Sequence, residues 1–418
     1  MYRKTELPNG VRVITEAMPG VRSATVGIWA DVGSSAEPPE RRGISHLVEH
    51  MLFKGTQRRS ARDIAEAMDG VGGNLNAFTD KESTCYYARV IDRHMPLALD
   101  VLADMFLHSR HDPQELAKEQ NVVLEEIKMY EDSPDDLIHD LFLKTMWSDS
   151  SLGEPTIGFA QTVVAVTSED LRAHMRLHYA PNSIVVAAAG NLEHERFTEL
   201  VCEQFQGFNG SCRLPEPQSP AATPARQIRH KDSEQAYVVL GTQGLSLRDD
   251  RRYALALLDT VLGGGMSSRL FQEIRERRGL VYSVYSFQAG YRGAGLFGVY
   301  AATSPEHVQS CIDLTVAEFA RVREEPIGPD EFRLAKEHVK GNLTLSLEST
   351  SSRMIRLGRN EFVLGRDVSP EEVERSVDAV TSEEVWQLAN ELLVEKNLGL
   401  TIVGPVDESS IVWSESAA

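Results

Sequence analysis

At 418 residues the chain is too long for one ordinary core and predicts two domains of about 200 residues each. A formal net charge of −19 with no basic patch excludes nucleic acid and an anionic membrane as expected partners, and is compatible with a basic substrate. No apolar run reaches the roughly 18 residues of a membrane span and the N-terminus is polar, so the expectation is a cytoplasmic protein with neither anchor nor signal peptide.

In chain order, residues 10–16 (GVRVITE) and 23–32 (SATVGIWADV) alternate as strands do, with Pro19-Gly20 as the turn between them. The loop 38–43 (PPERRG) leads into a helix from near Ile44. Ser60 caps a helix running to about Met68, where Ile64, Ala65 and Met68 share helical spacing, and the glycines 70, 72 and 73 end it. Residues 74–79 (NLNAFT) and 83–90 (STCYYARV) read as a hairpin around Asp80-Lys81. Long helices follow, from Met95 to about His108 and from Pro113 through Tyr130. Thr167-Ser168-Glu169-Asp170 is a helix start, with a hydroxyl cap and acids in the first turn. Residues 183–189 (SIVVAAA) form a buried strand ending at Gly190, and 208–227, rich in Pro, Ser, Ala and Gly, is the linker.

Beyond the linker the pattern restarts. Thr381-Ser382-Glu383-Glu384 opens a helix leading through Asn397 to Gly404, as Thr167 leads through Asn182 to Gly190, the Thr and Gly pairs standing at an offset of 214. Leu116-Ala117-Lys118-Glu119 recurs as Leu334-Ala335-Lys336-Glu337, at an offset of 218. Two matches in the same order argue for a duplicated domain.

The chemistry sits in one copy. In His46-Leu47-Val48-Glu49-His50, two imidazoles four residues apart and a carboxylate three after the first share one helix face. Neutral imidazoles suit Zn²⁺, and the H-x-x-E-H order is the inverted zinc-peptidase signature, with Glu49 as proton acceptor. A third ligand is needed, and Glu115, Glu119, Glu125 and Glu126 compete for it. Glu119 and Glu126, seven apart, share a face, and spacing does not choose between them. At the offset of 214, His46, Glu49 and His50 fall on Thr260, Gly263 and Gly264. The second copy keeps the scaffold without the ligands, so one half is expected to catalyse and the other to bind or shape substrate.

His46-x-x-Glu49-His50, followed 76 positions after His50 by Glu126, resembles the pitrilysin family (M16) of zinc metallopeptidases, in the branch of the mitochondrial processing peptidase and its bacterial homologues. The resemblance covers nearly the whole chain. It implies His46, His50 and Glu126 as ligands of one Zn²⁺ per chain, Glu49 as general base, and Glu119 as an acid beside the ligands. It also implies that Arg275 and Tyr282, seven apart, reach the substrate, and that Asp136 and Asp140 recognise an arginine upstream of the cut. The resemblance further implies that residues 74–79 pair with an extended substrate, Asn76, Ala77 and Phe78 binding it and Ala77 and Phe78 flanking the cleavage point.

The expected fold is α+β, with two homologous domains, each an antiparallel sheet with helices packed on one face. Residues 1–207 form the catalytic zinc-binding domain, 208–227 the linker and 228–418 the non-catalytic substrate-binding domain. The expected function is a zinc metalloendopeptidase, a homodimer, acting on unfolded peptides or N-terminal extensions. The competing reading is a non-catalytic scaffold or binding subunit of the same fold, which the intact ligands and base oppose. His174 and His178, also four apart, have no nearby acid in pattern and read as packing residues. Gly263-Gly264-Gly265 lacks the lysine and spacing of a phosphate loop. Cys85, Cys202, Cys212 and Cys311 form no C-x-x-C pair and read as reduced thiols.

Overall fold

The computed structural model describes residues 1–413; residues 414–418 of the expected second domain lie outside the described residues. Eleven strands are present among them: β1 Tyr2–Glu6, β2 Arg12–Ala17, β3 Ser23–Ala30, β4 Asn74–Thr79, β5 Thr84–Ile91, β6 Ile184–Gly190, β7 Arg226–His230, β8 Ala236–Gln243, β9 Val281–Gly290, β10 Gly295–Thr303 and β11 Gly399–Gly404. They make two sheets, ordered β1-β2-β6-β3-β5-β4 and β7-β11-β8-β10-β9.

The chain divides into two compact units. Unit 1 gathers Met1–Lys128, Pro155–Glu216 and Ser346–Asp367; unit 2 gathers Met129–Glu154, Pro217–Leu345 and the chain from Val368 onward. Each unit holds one sheet, and each also takes a helix from the other half of the sequence. The residues 208–225 carry no helix or strand before β7 begins.

In unit 1, the inner strands β2, β3 and β6 bury both faces. Val26 and Ile28 of β3 face a core with Leu47 and Val48 of α1 (Ile44–Leu52), Ile64 of α2 (Ala61–Asp69), Leu102 and Phe106 of α3 (Met95–His108) and Val123 of α4 (Pro113–Asp132). Trp29 of β3, Ile14 and Val185 face the opposite side, against Met354 and Leu357 of the helix Thr350–Leu364. That helix lies so close that a Cβ on Gly358 would stand 2.3 Å from the Trp29 ring, so only glycine fits there. Charges dock it as well. Buried Glu16 takes the guanidinium groups of Arg353 and Arg356, while Glu361 takes Lys4 at 2.6 Å and Arg12 at 2.9 Å. Buried carboxylates of this kind are held by ion pairs; both cations on Glu361 share its Oε1, and its Oε2 is buried without a hydrogen-bond partner.

Unit 2 repeats the plan. Leu240, Phe297 and Ile402 face one core; Val239, Leu296, Tyr300 and Val403 face another, filled by Ile138, Phe142 and Met146 of α5 (Pro134–Met146).

The α+β architecture of two sheets and helices is as the sequence leads one to expect, with two refinements. Each sheet holds one parallel pair, β2 with β6 and β7 with β11, so neither is wholly antiparallel. Each carries helices on both faces rather than one. The Pro19-Gly20 turn joins β2 to β3, which are not neighbours, because β6 is inserted between them. The hairpin β4–β5 pairs in register from Asn74↔Arg89 to Thr79↔Thr84 and leaves β4 at the sheet edge.

Candidate metal centre

Helix α1 is oriented by its apolar stripe. Ile44, Leu47, Val48, Met51 and Leu52 are buried in the core, which turns His46, Glu49 and His50 to the partly open side. Gly43, just before the helix, has φ +92°, and a Cβ there would lie 2.5 Å from the Ile157 carbonyl oxygen. Buried Glu37 accepts the backbone N–H of Gly43 at 2.8 Å and of Ser45 at 2.7 Å, satisfying donors that a helix start leaves open. Burial pushes the Glu37 carboxyl up to about 7 against those hydrogen bonds.

Helix α4 supplies the rest of the cluster. Leu116, Glu119 and Val123 are its buried positions, and Glu126 continues that face. Glu126 Oε2 lies 3.8 Å from His46 Nε2 and 3.7 Å from His50 Nε2. The three groups offer ligand atoms all within 4.8 Å of one another, and theirs is the cluster of that kind found among the described residues. Separations near 3.7 Å are long for hydrogen bonds and suit two donors of one small ion, since ligands about 2.0–2.2 Å from a tetrahedral Zn²⁺ stand roughly 3.3–3.6 Å apart. Glu119 takes a different place. Its Oε2 meets His50 Nδ1 at 3.1 Å and its Oε1 meets Lys54 Nζ at 2.7 Å. With Nδ1 so engaged, the His50 ring turns Nε2 toward Glu126, as the outer partner of a metal-binding histidine does. Glu125 and Glu115 pair on the surface with Lys128 and Lys118. The choice that spacing left open is thus made by geometry: Glu126 completes the cluster and Glu119 backs it.

The donor set fits a zinc ion. Burial, then the neighbouring His50, brings His46 down to about 3, so its imidazole is neutral as a ligand must be. Its Nδ1 is buried without a hydrogen-bond partner. Glu49 is raised, chiefly by burial, with a hydrogen bond from Thr79 Oγ1 to its Oε2 at 2.5 Å acting in the other direction.

Strand β4 places its residues alternately. Ala77 joins the core beneath α1, whereas Phe78 points to the other face and packs edge-on against Trp29 at 5.4 Å and beside Tyr87 at 6.2 Å. Asn76 is exposed, and its Oδ1 accepts the Ala77 N–H at 2.8 Å. In unit 2, Arg275 lies in a π-helical turn, Phe271–Glu276, its guanidinium 4.8 Å from the Phe271 ring and 6.0 Å from the Tyr282 ring. Tyr282 is 76% exposed. Asp136 and Asp140 lie one turn apart on α5, also in unit 2, and Asp136 accepts the hydroxyl of the helix cap Ser133 at 2.7 Å. His174 is buried with its ring 4.7 Å from that of His178, as packing residues are.

Sequence reasoning missed Glu37, Lys54 and Thr79. Glu37 and Lys54 sit outside the motif and reach it only through the fold. Thr79 carried one signal, its place at the end of the edge strand.

Comparison with known proteins gives a consistent answer. Residues 12–159 match the model described as insulinase (peptidase family M16), and residues 165–339 match the peptidase M16 inactive domain. An uncharacterized zinc protease of Bacillus subtilis is 43% identical over 97% of this chain and 98% of its own. One from Streptomyces coelicolor is 43% identical over 97% and 90%, and one from Mycobacterium tuberculosis 44% over 96% and 93%. Among solved structures, a protease from Helicobacter pylori superposes with a TM-score of 0.90 at 22% identity, covering 97% of this chain and 99% of that one. A peptidase M16 inactive domain from Pseudomonas fluorescens gives 0.90 at 21%, covering 97% and 98%. These last two share the fold. With both family models matched in order and zinc-protease relatives aligned nearly end to end, the chain belongs to peptidase family M16.

Proposed function

We propose that this protein is a zinc metalloendopeptidase, with one Zn²⁺ per chain, hydrolysing peptide bonds in unfolded peptides or N-terminal extensions. The observation that carries the reading is the convergence of His46 Nε2, His50 Nε2 and Glu126 Oε2 with Glu49 on the same helix face. Two imidazoles and one carboxylate are the donor set of a catalytic site that keeps a position open. Bound there, Zn²⁺ supplies the Lewis acidity that makes water a nucleophile near neutral pH.

The remaining steps belong to the chain. Glu49 accepts the proton of the attacking water and returns it to the departing amine nitrogen. The free edge of β4 offers main-chain groups to an extended peptide, which gives affinity without demanding sequence. Arg275 holds a peptide carbonyl and Tyr282 donates to the developing oxyanion. Asp136 and Asp140 take an arginine upstream of the cut, two carboxylates suiting one guanidinium. The protein works as a homodimer in the cytoplasm on basic peptides. A quenched basic peptide assayed with and without a chelator tests the reading. Cleavage lost with the chelator and restored by added Zn²⁺ is expected; cleavage that persists without zinc overturns it.

A further inference from the structure

Glu49 sits on a helix and has a long side chain, so its carboxylate sweeps a wide arc unless something holds it. The Thr79 hydroxyl donates to Glu49 Oε2 at 2.5 Å. Thr79 is the last residue of β4, and its strand partner is Thr84 of β5. The buried Thr84 hydroxyl donates to the Val32 carbonyl at 3.0 Å, and the Thr79 oxygen is its more distant neighbour at 3.5 Å. Thr84 has therefore spent its proton on the backbone, and the Thr79 proton goes to Glu49.

The placement follows from strand geometry. Side chains on β4 alternate, so Ala77 and Thr79 share the face under α1 while Phe78 turns away to Trp29. Six residue pairs fix β4 to β5, which makes Thr79 a rigid donor rather than a wandering one. A carboxylate anchored through one oxygen keeps the other for the incoming proton, and its angle is then set by the strand.

We infer that Thr79 is a positioning residue for the general base: through its hydroxyl it fixes Glu49 relative to β4, the strand whose free edge receives the peptide. The inference rests on the proposed role of Glu49. It ties base and substrate to one rigid element, so that the peptide bond and the proton acceptor share a frame of reference. A near-attack arrangement is sensitive to such registry at the ångström level.

The test compares Thr79→Val, which keeps shape and strand preference but removes the hydroxyl, with Thr79→Ser, which keeps the hydroxyl. Both are measured beside the parent and Glu49→Gln for kcat, KM, zinc affinity by chelator competition, and melting temperature. Thr79→Val should lower kcat about tenfold, equivalent to about 1.4 kcal/mol, with KM, zinc affinity and melting temperature unchanged. Thr79→Ser should restore kcat to within about twofold. In the Glu49→Gln background, Thr79→Val should cost nothing further. If Glu49→Gln is inactive while Thr79→Val keeps parental kcat, the inference is overturned and the base assignment survives. A fall in zinc affinity or melting temperature shared by the Val and Ser variants overturns it in favour of a structural role. Full activity of Glu49→Gln overturns the base assignment itself, and the inference with it.

Discussion

The two units run the same plan to different ends. Each has a sheet with one parallel pair, a helix-start box of Thr and an acid three residues on (Thr167 with Asp170, Thr381 with Glu384), and a helix on the far face taken from the other half of the sequence. In unit 1 the helix after β3 presents His46, Glu49 and His50 on its open side. In unit 2 the helix Arg252–Leu262, after β8, buries Ala254, Leu255, Leu257, Leu258, Val261 and Leu262 and ends at three glycines. The difference teaches that the same scaffold is built with or without the His and Glu residues at these positions. The apolar stripe is kept in both helices, and the chemistry occupies positions that packing does not need.

That comparison is broken most directly at Glu49. Glu49→Gln should lower kcat about 10³-fold with zinc retained, whereas Thr260→Ala in unit 2 should change it less than about twofold; metal analysis and initial rates decide. A Glu49→Gln enzyme of parental rate would remove the chemical distinction between the units. Next, Tyr282→Phe should lower kcat up to about 100-fold without moving zinc affinity, since a lost oxyanion donor costs about that much. An unchanged rate would leave unit 2 no part in the reaction through that residue. Third, Glu119→Gln should weaken zinc binding about tenfold while Glu126→Gln should weaken it far more, measured by chelator competition. Equal effects would contradict the separate placements seen for the two carboxylates.

Acid should also separate the units. In unit 1, burial brings His174 down to about 3, helped by His178, and His111 down to about 4, helped by Arg172. Both are neutral in the fold and titrate near 6.5 when unfolded, so the unfolded chain binds the extra protons below that pH. Each costs stability as pH falls from about 6.5 toward 3, by up to about 1.4 kcal/mol per pH unit, and Glu37, raised to about 7, offsets one such loss until pH reaches the ordinary carboxylate range, below which the histidines act unopposed by it. In unit 2, His139 is the described histidine shifted the same way, chiefly by burial. Hydrogen exchange during acid titration should show unit 1 opening first; simultaneous opening would mean that one cooperative unit spans both. The smallest effect is expected from Asp136→Asn with Asp140→Asn: a few-fold loss on peptides with an upstream arginine and less on arginine-free ones, of the order of one exposed ion pair. Equal losses on both would reject arginine recognition.

Much of this was written locally. The H-x-x-E-H spacing, the apolar stripe that rotates α1, the Ser60 and Thr167 caps and the Asn74–Thr79 hairpin strand all depend on residues within a turn or two of each other, where period and capping chemistry act. The near-continuous apolar runs in β6, β10 and β11 also carried a sign that both faces of each sheet are covered. They do not say by what. Which helix covers the second face, and that it comes from the other half of the chain, depends on fitting Met354 and Gly358 against Gly27 and Trp29 in one unit, and Phe142 against Gly241 in the other. Likewise, spacing put Glu119 and Glu126 on one face, but only the packed helices decided which meets Nε2 and which meets Nδ1 of His50. The sequence by itself determined the candidate donor types and their helix face, because these are short-range properties of the backbone, and the duplicated plan, because a repeated pattern is legible without any contact. Beyond the family resemblance, which already pointed to Glu126, the tertiary structure alone decided that Glu126 rather than Glu119 stands with the two imidazoles, the exchange of helices and the Thr79 contact to Glu49, because each is a distance between residues far apart in the chain or brought together by a sheet edge.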